Sequence, residues 1–330
     1  MQRVEIIIII IIAIIIVRII IIIIIIIITI ILDTMAKNMP ELYLFTLAKY
    51  SCESTLVYGE HTIPSREGSQ QGDPVSSLEF CEAIQPVLDD LDSELDIGFI
   101  DDLSLSSDLS TLEKDVNTII EAESVTGLRL NPSKCEIIMD DFSSVETMNV
   151  FKDFIRVPKD QMTLLGAPIS RGHALDKVLQ AKVDDLERAV NRLKLLHAHD
   201  ALVLLKNSLS MPRLLYTLRT SDCRDHPLLS RFDSILRTGL TSILNVEFND
   251  THWLQATLPV RNGGIGIRTA STLATSAFLA SAASTHAFQQ SILPSSHSNV
   301  VDEARISAEE TWKSTSLTSL HLRRLGMDQS

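Results

Sequence analysis

The sequence predicts an α+β fold, a small sheet with covering helices followed by a largely helical region, and three stretches lead to that expectation. Residues 97–105, IGFIDDLSL, alternate apolar and polar on either side of two aspartates, as a β-hairpin does with Asp101 and Asp102 at its turn. Val75, Leu78, Cys81, Ile84, Val87, Leu88 and Leu91 recur at helical spacing after a loop rich in turn residues. Leu175, Val178, Leu179, Val183, Leu186, Val190, Leu193 and Leu196 do the same with charged residues between them, which predicts a long amphipathic helix.

The remaining elements follow in order. Residues 35–50 suit a helix interrupted near Pro40. Residues 55–63 read as a short hairpin around Gly59 and Glu60. The loop SREGSQQGDP over residues 65–74 opens the next helix, with Asp73 as its cap and Pro74 at its first position. A helix over residues 112–124 precedes GLRLNPSKCEII, a strand, an Asn-Pro turn and a second strand. At 330 residues and 45% hydrophobic, the chain can bury a sizeable core in two or three subdomains. Its formal net charge of -13 excludes a surface that holds nucleic acid by charge alone. Cys52, Cys81, Cys135 and Cys223 are too scattered for a zinc site or a disulfide framework, so reduced thiols are expected.

The most unusual stretch is residues 6–31, isoleucine throughout apart from Ala13, Val17, Arg18 and Thr29. Three readings stand side by side. A transmembrane helix is physically possible, because Arg18 costs about 2.5–3.5 kcal/mol on insertion while each isoleucine contributes about 0.3–0.6 in the other direction. A cross-β segment is the second, and a translated triplet repeat the third. The repeat accounts for the origin of the tract, and membrane insertion as one long helix separate from any sheet is its expected consequence. A secretory signal is excluded by the length of the run and the lack of a cleavage site.

A series of short motifs carries a resemblance. Gln70-Gln71-Gly72-Asp73-Pro74 comes first, then Ala83-Ile84-Gln85-Pro86, then Gly98-Phe99-Ile100-Asp101-Asp102. Residues 127–135, GLRLNPSKC, and residues 164–169, LLGAPI, complete it. In order and spacing this resembles the reverse transcriptases of non-LTR (LINE-type) retrotransposons, strongly over residues 33–172 and more loosely to Arg268, where LPVRNGGIGIR resembles a segment beyond the thumb. The resemblance implies a partial polymerase palm, a ferredoxin-like sheet with helices, followed by a helical thumb and C-terminal helices. The corresponding divisions are the isoleucine tract over residues 1–32, a palm fragment over 33–172, a thumb-like region over 173–250 and a C-terminal region with a polar tail over 251–330.

The same resemblance implies roles. Asp101 and Asp102 take the place of metal-binding catalytic carboxylates, Lys134 that of a general acid for the leaving pyrophosphate, and Leu165 and Gly166 that of a primer grip. Gln71, Gly72 and Asp73 take the place of the nucleotide and template contact, with Mg2+ as the ancestral cofactor and an RNA/DNA template-primer as the ancestral partner. The chemistry agrees in part. Two-metal nucleotidyl transfer needs carboxylates that hold two ions about 3.5–4 Å apart, Gly72 lets backbone approach a ligand, and Gln71 can bond a base or sugar edge. Read alone, the Asp pair is a solvated acidic turn, QGDP is a helix start and Lys134 is an exposed turn lysine.

One absence outweighs these presences. The family's first catalytic aspartate lies on a strand upstream of the position of Asp33, and isoleucine around Arg18 occupies that place. The basic fingers segment before it is missing too. Glu79 and Glu82 fall where the family carries mostly leucine, and a buried carboxylate there needs a partner or a proton. The resulting expectation is an RNA-directed DNA polymerase by descent, inactive, with an incomplete metal site. The alternative is a membrane-tethered, non-enzymatic binding protein that uses the palm-thumb remnant. The location expected is the membrane if residues 6–31 are expressed, otherwise cytoplasm or nucleus, and no oligomer is predicted.

The C-terminal half adds little chemistry. His197 and His199 lack metal-ligand spacing. Arg213, Arg219, Arg224, Arg231 and Arg237 give a local basic bias that suits either a template backbone or a solvated face. Gly263-Gly264-Ile265-Gly266 lacks the Lys-Ser/Thr of a phosphate loop and predicts a tight turn.

Overall fold

The computed structural model of the chain describes residues 14–18, 28–52, 54–65, 72–294 and 301–324. It is a mixed α+β protein that divides into two compact units, Met1–Lys159 and Asp160–Ser330.

In the first unit β1 (Ile14–Arg18) is followed by α1 (Ile28–Asn38) and α2 (Pro40–Tyr50), then the hairpin β2 (Ser54–Tyr58) and β3 (His61–Ser65). Next come α3 (Ser76–Leu88), the hairpin β4 (Leu95–Phe99) and β5 (Asp102–Ser106), α4 (Leu109–Glu121), the single turn α5 (Glu123–Thr126), β6 (Glu136–Ile138) and β7 (Ile155–Val157). Five of these strands form one sheet in the order β4-β5-β1-β6-β7, antiparallel except for the β6–β7 pair.

Local chemistry accounts for the helices that cover this sheet. Asp108 caps α4 by accepting from the amides of Ser110 and Thr111 at 3.0 and 3.2 Å. Hydrogen bonds from the Ser110 and Thr111 hydroxyls, joined by those from the amides, hold its carboxyl well below the usual range. Leu112, Val116 and Ile119 then fall on one face of α4 and pack with Leu103 and Leu105 of β5, Ile137 of β6, Phe151 and Phe154. Phe80, Ala83 and Ile84 of α3 pack with Ile31 and Met35 of α1. Pro40 separates α1 from α2 as the sequence predicts, since it takes the first position of α2, where no amide donor is needed.

Residues 6–31 do not form one helix. Ile14–Arg18 is the middle strand of the sheet, and Ile28 opens α1, in which Ile31 is fully buried. The other residues of the tract lie outside those described. Among the described residues no helix is long and apolar enough to cross a membrane. That overturns the expected transmembrane helix. The physical reason is that isoleucine is stiff at χ1 and fits a pleated sheet.

In the second unit the hairpin β8 (Thr163–Leu164) and β9 (Ala167–Pro168) precedes α6 (His173–Leu193), α7 (Ala198–Leu204), a π-turn (Leu205–Leu209) and α8 (Met211–Thr220). Then follow α9 (Pro227–Leu244), α10 (Asp250–Thr257), α11 (Ala270–Ile292) and α12 (Glu303–Arg324). The stripe Leu175, Leu179, Val183, Leu186, Val190 and Leu193 is buried, while Leu196, beyond the end of α6, is 49% exposed. These residues share one core with Phe232, Leu236 and Leu240 of α9 and with Ala270 and Ala274 of α11. A Cβ at Gly239 would lie 2.7 Å from Val190 Cγ2, so only glycine lets α6 and α9 approach this closely.

Polar tie-points fix the helix ends of this unit. Asp233 on α9 accepts from the Ala270 and Ser271 amides at 2.6 and 3.0 Å and so caps α11 from another helix. Burial pushes its carboxyl up, against the pull of those amides. Arg224 holds Asp222 through Nε and Nη2, each at 2.7 Å, and reaches Thr311 and Ser307 on α12 at 2.9 and 3.2 Å. Burial opposes ionisation of Asp222, but the hydrogen bonds from Arg224 and the charge of Arg171 outweigh it and depress its carboxyl.

The position of β1 makes a direct prediction. Ile16 pairs with Ser104 on one side and Glu136 on the other, and proline has no amide to donate and is tolerated only at sheet edges. Ile16→Pro is expected to abolish amide hydrogen-exchange protection at Leu103, Leu105 and Ile137 and to lower the denaturant midpoint of the first unit. Unchanged protection at those amides would show that β1 does not hold the sheet together.

Candidate functional site

The acidic hairpin is built by β4 and β5, whose register runs from Leu95↔Ser106 to Phe99↔Asp102 and leaves Ile100 and Asp101 as the turn. Leu88 of α3 lies under this hairpin, 3.3 Å from where a Cβ on Gly98 would stand. Ile100 carries φ +57, a left-handed conformation that costs an L residue about 1–2 kcal/mol. At this tip Phe99 and Ile100 are 57% and 42% exposed. Asp101 is exposed and Asp102 half-buried.

Beyond the hairpin lies β1, with Val17 paired to Leu103 and Arg18 paired to Asp102. The strand neighbouring the acidic turn therefore carries an arginine at the register position nearest Asp102. Among the described residues no three His, Cys, Asp or Glu side chains come together as metal ligands. Two carboxylates leaving one turn, with a cationic residue type at the adjoining position, do not fit the donor set that two divalent ions need.

The loop leading into α3 forms a second centre. Gly72 has φ +94, a conformation suited to glycine, and Gln71 lies outside the described residues. Asp73 does not cap α3 directly. Its Oδ1 accepts from the Val75 amide at 2.8 Å, and the helix begins at Ser76, because Asp73-Pro74-Val75 is used up in a turn of its own. Asp73 also meets Lys49 of α2 at 2.8 Å, and this hydrogen bond lowers its carboxyl.

Lys49 joins Asp73 to Glu79. Its Nζ donates to Glu79 Oε2 at 2.7 Å, and the Tyr50 hydroxyl donates to the same oxygen at 2.7 Å. Glu79 is fully buried, and its other oxygen, Oε1, has no hydrogen-bond partner. Burial opposes the charge on Lys49, but the hydrogen bonds it donates to Asp73 and Glu79 prevail and raise it above its ordinary 10.5. Burial, with the bond to Glu79, pushes Tyr50 up to about 12, which keeps its proton available to Glu79. Glu82 behaves differently from Glu79: it is half-buried and accepts from Asn38 Nδ2 at 2.7 Å.

Of the two sequence-flagged glutamates, then, one is buried and paired. Its partners Lys49 and Tyr50 escaped sequence reasoning because nothing in the periodicity links α2 to a residue 29 or 30 positions away. The signal in the sequence was Glu79 itself, at a position where a buried carboxylate needs a partner or a proton.

The other expected residues are dispersed. Lys134 ends a 3-10 turn, Pro132–Lys134, and is exposed. Leu165 and Gly166 belong to the second unit, where they form the two-residue turn of the β8–β9 hairpin with φ +49 and +78, the double positive φ of a type I′ turn. The Leu165 carbonyl accepts from Tyr216 Oη at 2.8 Å. Gly263 and Gly266 also have positive φ, in the tight turn that the sequence predicts.

Comparison with protein-family models and with curated proteins finds no match.

The buried pair sets a stability expectation. Lys49→Met leaves Glu79 buried without its cation and is expected to cost about 3–5 kcal/mol in chemical denaturation, whereas the double variant Lys49→Met/Glu79→Leu recovers most of that loss. A single variant no worse than the double would contradict the pairing. Because the folded lysine sits above its ordinary value of 10.5, its contribution is complete below that pH and is lost as pH rises through the folded value.

Proposed function

We propose that this chain is a reverse-transcriptase remnant, an RNA-directed DNA polymerase by descent that does not carry out nucleotidyl transfer. The observation that carries the reading is the placing of β1. The motif order of the sequence leads one to look for the family's first aspartate strand beside the acidic hairpin, and the strand in that position presents Arg18 opposite Asp102. The strained, exposed tip at Ile100 and the contact of α3 with the hairpin agree with a turn shaped for close approach to a ligand.

Loss of activity follows from charge. A metal-bridging carboxylate positions the primer hydroxyl and stabilises developing negative charge, effects that each contribute several kcal/mol to such a barrier. An arginine at that register position supplies no carboxylate to hold a metal. Asp101 and Asp102 leave one turn and approach from one side, Glu79 is committed to Lys49 and Tyr50, and Asp73 is committed to Lys49. With 42 acidic against 29 basic residues, any residual hold on a template-primer is weak and sensitive to salt.

The test is primer extension with Mg2+ or Mn2+ on the full chain, since trimming the isoleucine tract removes β1. The expected result is no template-dependent product above a protein-free control. Extension that Asp101→Ala abolishes would mean that another carboxylate completes the site, and the proposal would fall.

A further inference from the structure

The second unit contains a cleft that the polymerase reading does not use. Its volume is about 460 Å³, within the range of about 300–1,000 Å³ usual for small-molecule sites. On one side it is lined by the π-turn and the start of α8, on the other by the glycine turn and the start of α11. Lys206, Arg268 and Asn207 face it together with apolar Met211, Leu215 and Ile267, and no aspartate or glutamate lines it.

That charge pattern is unusual for a chain of net charge -13. Neither Lys206 nor Arg268 forms an ion pair among the described residues, whereas the buried or half-buried Lys49, Arg224 and Arg237 each hold a carboxylate. Two unneutralised cations in an acid-free concavity favour a dianion.

The backbone around them is specially shaped. Lys206 sits on the π-turn, an irregularity common at functional sites, where the Ser210 amide and hydroxyl both bond to the Leu205 carbonyl at 3.0 and 2.6 Å. Opposite, Gly266 has φ +73, and a Cβ there would lie 3.1 Å from Lys206 Nζ. A Cβ on Gly264 would stand 2.1 Å from the Leu258 carbonyl oxygen, so the turn is pressed against the end of α10. The Gly266 and Ile267 amides are bonded to Leu258 and Ala256 at 2.9 and 3.2 Å, which fixes the turn while leaving the lysine head facing the cleft.

We propose that this cleft binds a phosphate monoester carried on an apolar body, with Lys206 and Arg268 taking the phosphate and Met211, Leu215 and Ile267 covering the body. The dianionic head matches two cations, and the apolar lining gives the remainder of the ligand a surface that inorganic phosphate cannot use. This site is independent of the polymerase descent and needs no metal.

The experiment is equilibrium titration of the full chain with 4-methylumbelliferyl phosphate, with inorganic phosphate and 4-methylumbelliferone as the head and body alone. Saturable binding of the ester, tighter than either part, is expected. Lys206→Met and Arg268→Gln should each weaken it about tenfold, the usual size of one lost charge-assisted hydrogen bond. Arg268 is exposed, so its variant reports on binding even if the Lys206 variant does not fold. Absence of saturable binding, an affinity unchanged by Arg268→Gln, or equal affinity for the phosphate-free body would each overturn the proposal.

Discussion

Hydrogen bonding along both edges of Ile14–Arg18 is what makes the first unit's sheet a single object. On one side this strand meets β5 and through it β4; on the other it meets β6 and through it β7. Remove it and two two-stranded fragments remain, each too small to be stable in water by itself. The core formed by α4 with Leu103, Leu105 and Ile137 draws on strands from both sides of β1, so the packing depends on the same five residues. The acidic hairpin inherits its position from them as well.

Where the sequence carried a period, it carried the structure. The alternation around Asp101 and Asp102 specified the hairpin, and the heptad-like stripe from Leu175 to Leu193 specified which face of α6 is buried. Pro40 marked a break because a proline at a helix start has only one good place. The isoleucine tract was misread for the opposite reason. A near-homopolymer has no period, and its hydrophobicity satisfies a bilayer and a sheet centre equally, so only the vacancy between β5 and β6 decides between them. Glu79 with Lys49, and Asp233 capping α11 from 37 residues away, are likewise products of tertiary approach that no local pattern encodes.

Buried charge is handled in two ways in this molecule. Around Asp222, two arginines saturate the carboxylate and one of them continues to the hydroxyls of Ser307 and Thr311, so nearly every donor has a destination. Around Glu79 the arrangement is incomplete, with one oxygen doubly bonded by Lys49 and Tyr50 and the other bare. The first arrangement rigidifies a helix junction. The second leaves one buried carboxyl oxygen without a partner, so the cost of burying the group is only partly offset.

The composition of β1 has a further consequence for how definite the sheet's pairing is. Side chains on a strand repeat every second residue, so a slip by two in ordinary sequence exchanges one set of side chains for a different one and is penalised. In residues 6–31 such a slip mostly exchanges isoleucine for isoleucine. Many pairings of the tract with β5 and β6 are thus nearly degenerate in packing energy, and what distinguishes the observed one is the placing of Val17 and Arg18 opposite Leu103 and Asp102. In a tract of one residue type, register is marked only by the few positions that break it, here Val17 and Arg18.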